Sequence, residues 1–538
     1  MKMHRDLKIF SLLLLLGIFL GSCSKISVNR GPFPIPVNQE KIEFKDSWLH
    51  TQSDHSGDEE RPNVVLIIVD DLGKEDIELY NPSGVRTPNI SRLAKDGVLF
   101  TNAYSSSSVC SPSRAGLFTG RYQQRFGFER QPMNRYARNR MEYFIVDHLI
   151  NTEPMSLIST MSKVTKEEIS KQGMPGEEIL ISEIMQSNGY STGLCGKWHL
   201  GHNDPFKPNA RGFDFHYGFY EAFTLYTPEN SEGIVDYRHD YFANKHIWRQ
   251  KRKKTCAIRV KDSIVMEEEY LTFSIARQSI QFVEENKDNP FFLVTAFSAP
   301  HTPFQVPVEY YNLFSHIEDE NKRVYSGMIA ALDDGVGMIT SALDSMGLSD
   351  NTLIIFCSDN GGATYTEATD NGSLKAGKFS QFEGGVNIPM IISWGDKVSV
   401  GSSYSDPVCL LDIFSTIASA AEIEPPDDRT YDGVNLMPYL KNNERSPHRY
   451  LYWRTDFNRA IRSEEWKLIW NVRDQQVFLY DLKSDKPERK NVADLYPEIV
   501  KTLQSAYELW DDDMIPPSWP GVMEFKFDID GEVTWWAI

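Results

Sequence analysis

Six cysteines in 538 residues are few, and Cys23, Cys110, Cys195, Cys256, Cys357 and Cys409 show neither disulfide-framework nor zinc-type spacing. A stapled mini-fold or a zinc ribbon is therefore excluded. Four of them are read as buried small apolar residues, with one bridged pair as the alternative. An excess of cations is also missing: 56 Lys and Arg face 75 Asp and Glu, a net charge of -19. Such a chain repels a phosphate backbone, so generic nucleic-acid binding is excluded unless a local basic surface overrides the mean. No repeat period, no long low-complexity tract and no apolar run long enough for a standard membrane span is present.

What is there begins at the N-terminus. Lys2, His4, Arg5 and Lys8 precede the apolar run Ile9 to Leu20, the layout of a secretory leader. Leu20-Gly21-Ser22-Cys23 resembles the lipobox of bacterial lipoproteins, in which the cysteine carries the lipid. We expect a signal peptide over 1–22, with a plain cleaved leader as the alternative, and an extracytoplasmic lipoprotein of the periplasm, outer membrane or cell surface.

The length suits a large α/β domain with a smaller companion. Residues 23–60 are polar, proline-bearing and aperiodic, and read as a tether. Asn63 to Val69 is a continuous β-branched run, the mark of a strand buried on both faces of a parallel sheet. Thr87-Pro88, an apolar stripe and Gly97 then spell a helix with Thr87 as its N-cap. Further strands are predicted over 290–298 and 352–357, and a long helix over 324–346. Such alternation predicts a mostly parallel sheet sandwiched by helices, over 61–440. Short apolar runs divided by polar turns after 440, then a helical stretch near 497–510, predict a small antiparallel sheet plus helix over 441–538. The apolar ending Trp535-Trp536-Ala537-Ile538 is expected to pack against the body.

Polar residues gather at the predicted strand ends: Asp70 and Asp71, then His301, then Asp359 and Asn360. Singly, each pair reads more readily as a cap or turn. Jointly, three carboxylates and an amide at one sheet edge form a hard-oxygen set that would repel itself unless Ca²⁺ or Mg²⁺ joined it. Lys197 and His199, two apart, would share one face of an extended segment and suit an anionic substrate. Lys378 lies in a glycine-rich loop, and prolines flank His301.

Ser108 through Gly120, with Cys110-Ser111-Pro112-Ser113-Arg114 at its centre, resembles the hallmark sequence of type I sulfatases at every defining position. Asp70-Asp71-Leu72-Gly73, Gly196 to Gly201, Gly212-Phe213-Asp214, Pro300 to Pro303, Ser358 to Gly361 and Lys378 to Pro389 resemble sulfatase landmarks in family order. Two departures, Lys74-Glu75 after Gly73 and Leu374-Lys375-Ala376, remove no expected ligand. The resemblance implies an alkaline phosphatase-like fold. It implies that a maturation enzyme oxidises Cys110 to formylglycine (3-oxoalanine), whose hydrated diol attacks sulfur and releases sulfate from a covalent hemiacetal. By position, Asp70, Asp71, Asp359, Asn360 and modified Cys110 would bind the cation, most simply Ca²⁺ with Mg²⁺ second. Arg114 and His199 would hold the diol, Lys197 and Lys378 would neutralise sulfate, and His301 would be the general acid.

Residues 213–254 are rich in Tyr and Phe and end in Arg249, Lys251, Arg252, Lys253 and Lys254. They read either as a sugar-stacking and polyanion-meeting surface, or as a packed loop with a solvated charged face. A sulfated polysaccharide or oligosaccharide is the expected substrate. A phosphonate or phosphodiester hydrolase of the same superfamily and a non-catalytic glycan-binding lipoprotein are the rival readings.

Overall fold

In the computed structural model of the chain, which describes residues 35, 37–52, 61–133, 144–145, 149–150, 152–157, 164–240, 242–442 and 445–538, strand β1 (Asn63–Asp70) is buried along its whole length. Its side chains alternate between two cores. Val64, Leu66 and Ile68 join one, and Val65, Ile67 and Val69 join the other. Each such side chain removed from water contributes about 1.5–3 kcal/mol, and this explains a run with no polar break.

Around β1 lie β2 (Val98–Tyr104), β3 (Ser191–Lys197), β4 (Phe215–Phe219), β5 (Phe291–Pro300), β6 (Thr352–Ser358) and β7 (Asn387–Ser393). Their order is β2-β7-β6-β1-β5-β3-β4 within an eleven-stranded sheet completed by short edge strands. β6, β1, β5, β3 and β4 run parallel, while β7 is antiparallel to both of its neighbours. The sheet is mixed and mostly parallel, as expected.

The tether expected over 23–60 contains a helix, α1 (Gln39–His50), that sequence reading does not foresee. Lys45 is its one fully buried residue, with Ile42, Trp48 and Leu49 half-buried, so its apolar stripe is weak. Lys45 Nζ reaches Glu183 at 3.1 Å, and Arg211 Nε reaches the same carboxylate at 2.9 Å. The leader over 1–22 and Cys23 lie outside the described residues. Helix α2 (Pro88–Lys95) has Thr87 at its N-cap position, yet Thr87 makes no side-chain cap. Asp333, from α3 (Glu320–Ser345), caps it instead, accepting from Asn89 N at 3.1 Å and Ile90 N at 2.8 Å.

A four-stranded antiparallel sheet follows (Leu451–Thr455, Asn458–Arg462, Trp466–Asn471, Gln476–Asp481), with the helix Pro497–Asp511. A hairpin, Met523–Ile529 with Glu532–Ala537, takes Met155–Leu157 as a third strand. The apolar ending is packed: Trp536 and Ile538 are buried. All five described cysteines are free and buried, so among them no pair is bridged. Among the described residues no helix is long and apolar enough to cross a membrane.

Candidate active site

Register brings the site together. Along β1, Val69 pairs with Ser358 of β6, and Asp70 pairs with Pro300 of β5. The residues that follow, Asp71, Asp359 and His301, therefore leave the sheet side by side at the carboxyl ends of parallel strands. Asp71 turns away in the left-handed region at φ 63. Lys197 ends β3, beside β5, and Gly196 before it allows a close approach: a Cβ there would lie 1.9 Å from Ala296 O. Cys110 opens the helix Cys110–Thr119, whose N-cap Val109 offers no side-chain oxygen.

Each carboxylate has its own cation. Lys197 Nζ is 2.7 Å from Asp70, Lys378 Nζ is 2.8 Å from Asp71, and Arg114 Nε is 2.8 Å from Asp359. All six side chains are buried. Cys110 Sγ sits among them, 3.4 Å from Asp70 Oδ1, 3.6 Å from Asp71 Oδ1 and 3.1 Å from Lys378 Nζ. His301 Nε2 is 3.5 Å from Asp71, and its Nδ1 faces Thr302 O.

Burial raises the Asp70 carboxyl to about 7 in spite of Lys197 beside it. Burial acts the same way on Asp71, but Lys378, His301 and Lys197 outweigh it and hold that carboxyl below its usual range. Burial, with Asp359 next, pushes the Cys110 thiol well above 9.0. Burial lowers His301, only partly offset by Asp71, and burial with Lys197 and Arg114 lowers His199. A thiol so placed stays protonated and is a poor nucleophile.

The residues suit a hard divalent cation. Asp70, Asp71, Cys110 and His301 present donor atoms within 4.8 Å of one another. Asn360 Nδ2 donates to Asp71 Oδ1 at 2.8 Å and to Gly361 O at 2.9 Å, which leaves Asn360 Oδ1 buried with no partner. A buried amide oxygen without a donor is costly, and a cation would satisfy it. His301 joins the expected acidic and thiol groups in this cluster, and Asp359 gives Oδ2 to Arg114 while its Oδ1 faces Asp71 N at 3.4 Å. The sulfur of Cys110 is a soft donor in an otherwise oxygen-rich set.

All the expected residues thus reach one region, with three adjustments. Lys197 and His199 do not share an extended segment, because His199 lies past the end of β3 in the left-handed region at φ 62. Its carbonyl accepts from Ser111 Oγ, and its Nδ1 is buried without a partner. The three protein cations offset part of the repulsion among the carboxylates, and Asp359 and Asp71 still raise Asp70. Arg114 spends Nε on Asp359 and Nη1 on Lys197 O at 3.0 Å, leaving Nη2 unpartnered.

Two positioning groups escape sequence reading. Asn371, fully buried, donates through Nδ2 to Gly362 O, Ala376 O and Gly384 O, and so shapes the loop that carries Lys378. Its only signal was the Asn-Gly turn dipeptide. Tyr226 OH donates to Ser298 O at 2.7 Å and His301 O at 2.8 Å, fixing the His301 turn. A small apolar cluster of Val109, Met155, Phe379, Phe525 and Ile538 joins the hairpin to the residues flanking Cys110 and Lys378.

This fold and site define a member of the alkaline phosphatase superfamily. The Sulfatase family model matches residues 62–423, and the model for the C-terminal part of N-sulphoglucosamine sulphohydrolase matches 377–510. Human N-acetylgalactosamine-6-sulfatase is 30% identical over 406 residues, 74% of this chain and 70% of that one. The crystal structure of Ps i-CgsB in complex with k-i-k-neocarrahexaose superposes with a TM-score of 0.71 at 32% identity, covering 85% of this chain and 94% of that one. A protein of the Bacteroides thetaiotaomicron locus for metabolism of multiple glycosaminoglycans gives a TM-score of 0.62 at 26% identity, covering 84% and 99%. The chain belongs to the sulfatase family and is a sulfuric ester hydrolase.

Proposed function

We propose that the substrate is a sulfated polysaccharide or oligosaccharide, and that Cys110 acts after conversion to formylglycine. The observation that carries the second part is chemical. A protonated, buried thiol is neither a good nucleophile nor a fitting ligand for the hard site around it, whereas an oxygen-bearing side chain at that position is both. Hydration of the aldehyde supplies a hydroxyl nucleophile and a second hydroxyl for release of the bound sulfate. A cation, Ca²⁺ first, would be held by Asp70, Asp71, Asp359, Asn360 and the modified residue, and would withdraw electrons from a sulfate oxygen.

The chain's own residues do the rest. Lys197 and Lys378 place positive charge beside the nucleophile without needing to reorganise. Arg114 and His199, each with an unpartnered nitrogen, hold the hydroxyls. His301, fixed through its own carbonyl by Tyr226, is the general acid for the leaving alcohol; Asp71 at 3.5 Å favours the protonated ring this role needs, against the burial that lowers it.

The glycan assignment is supported by the carbohydrates in the names of the relatives: an N-acetylgalactosamine sulfatase, a complex with a carrahexaose and a glycosaminoglycan locus. The Leu20 to Cys23 stretch supports an extracytoplasmic, lipid-anchored enzyme. The test is sulfate release from a panel of sulfated oligosaccharides by protein whose Cys110 peptide carries the aldehyde by mass spectrometry. Release from at least one glycan is expected, with matched phosphate esters turned over more slowly. Preference for the phosphate esters would reverse the substrate assignment, and binding without release across the panel would favour a glycan-binding role.

A further inference from the structure

We propose that the segment Lys245 to Lys261 is a second binding site, a cationic rim that grips the polyanionic chain beyond the sulfate being hydrolysed. The proposal rests on the glycan reading above and adds a surface to it.

Charge is the first ground. Between Asp240 and Asp262 the sequence holds eight Lys or Arg and no Asp or Glu, inside a chain of net charge -19. Some of these cations are already engaged: Lys245 pairs with Asp240, and Lys251 with Glu229. Arg252 and Arg259 donate to backbone carbonyls. Arg249, Lys253, Lys254 and Lys261 are exposed and have no carboxylate partner among the described residues. Four uncompensated cations in one segment form a positive field that the rest of the surface opposes.

Position is the second ground. The helix Phe242–Gln250 is fastened to the active-site wall through buried Asn244, whose Nδ2 donates to Thr302 Oγ1 at 3.1 Å, next to His301. After the helix, Arg252 Nε donates to Leu225 O at 2.8 Å, and the neighbouring Tyr226 holds His301 O. On its other side Arg238 lies over the Trp248 ring, 4.1 Å from its centroid, and the strand before it, Ile234–Tyr237, pairs with Phe304–Pro307. The cationic segment is thus built onto the loop that carries His301.

Need is the third ground. Lys197 and Lys378 are buried and paired with Asp70 and Asp71, so they address one sulfate group and project little field outward. An acidic enzyme acting on an acidic polymer gains attraction only from cations at its rim. Most aromatics of the same region are unavailable for stacking, since Tyr217, Phe219, Tyr220 and Tyr226 are buried and Phe215 and Phe223 are only partly exposed. Recognition here is therefore mainly electrostatic.

The test uses full-length protein and the triple variant Arg249→Glu, Lys253→Glu, Lys254→Glu, both also carrying Cys110→Ala so that binding is separated from turnover. Dextran sulfate is the probe and uncharged dextran the control. Wild-type sequence at the rim is expected to bind dextran sulfate with a strong salt dependence, and the triple variant to bind at least about tenfold more weakly with a shallower slope. With Cys110 restored and modified, kcat/KM for a small aryl sulfate is expected to stay equal in both forms. Absence of dextran sulfate binding, or equal affinity in the two forms, overturns the proposal. Loss of aryl sulfate turnover along with binding also overturns it, by showing a general defect. Failure of the glycan reading appears separately, as no sulfate release from any glycan despite intact dextran sulfate binding.

Discussion

Cys110 illustrates how a side chain's meaning is set by its neighbours. Within 3.6 Å it meets two carboxylates and a lysine, and burial keeps its thiol protonated. Cys110→Ala is expected to lower sulfate-ester turnover by at least a thousandfold, on the order seen when a catalytic nucleophile is removed, with the circular dichroism spectrum unchanged. His301→Ala should cost about 10²–10⁴ in kcat. Asn360 tests the cation separately. Calcium is expected to raise the Tm of the wild type, a chelator to reverse the gain, and Asn360→Leu to shrink it, all read by thermal shift. These residues were legible because each follows a strongly patterned strand or sits in a recognisable motif. Asn371 and Tyr226 were not, because their work is to donate to carbonyls set by tertiary turns, which leave no local pattern.

Elements were legible to the extent that apolar periodicity marks them. β1 and the long helix α3 were read within a few residues of their bounds, since both bury continuous apolar faces. α1 was missed because its apolar stripe is short and only half-buried, with the Lys45–Glu183 ion pair at its centre. The strand Met155–Leu157 was missed because its partner lies more than three hundred residues away. Capping of α2 by Asp333 carries a pH prediction. Burial raises the Asp333 carboxyl to about 6 from an ordinary 3.8, so the folded state holds its proton more tightly than the unfolded state does. Its contribution is full below pH about 4 and is lost as pH rises through about 6. The denaturant midpoint is expected to decline across that window, and Asp333→Asn to flatten the decline.

At the scale of the whole molecule, the large sheet and the C-terminal sheet are joined by a buried ionic knot. Lys467 Nζ lies 2.7 Å from Glu383 and 3.1 Å from Glu488, all three inaccessible to solvent. Glu383 also accepts from Tyr104 OH and Asn387 Nδ2, both in the central sheet. Burial raises Glu488 to about 7, whereas Lys467 and Arg462 overcome burial and hold Glu383 near 2. Removing the shared cation leaves two glutamates facing each other in the dry. Lys467→Met should cost about 3–5 kcal/mol, measured as a shift in denaturant midpoint.

The apolar cluster that ties Val109 and Phe379 to Phe525 and Ile538 also sets a timetable. Cys110 emerges from the ribosome some four hundred positions before the hairpin that helps to enclose it, and at about 5–20 residues per second that interval is roughly 20–90 s. On the proposed conversion of Cys110, a modifying enzyme would have that long to reach an open thiol. Once the hairpin settles, the door to Cys110 closes behind it.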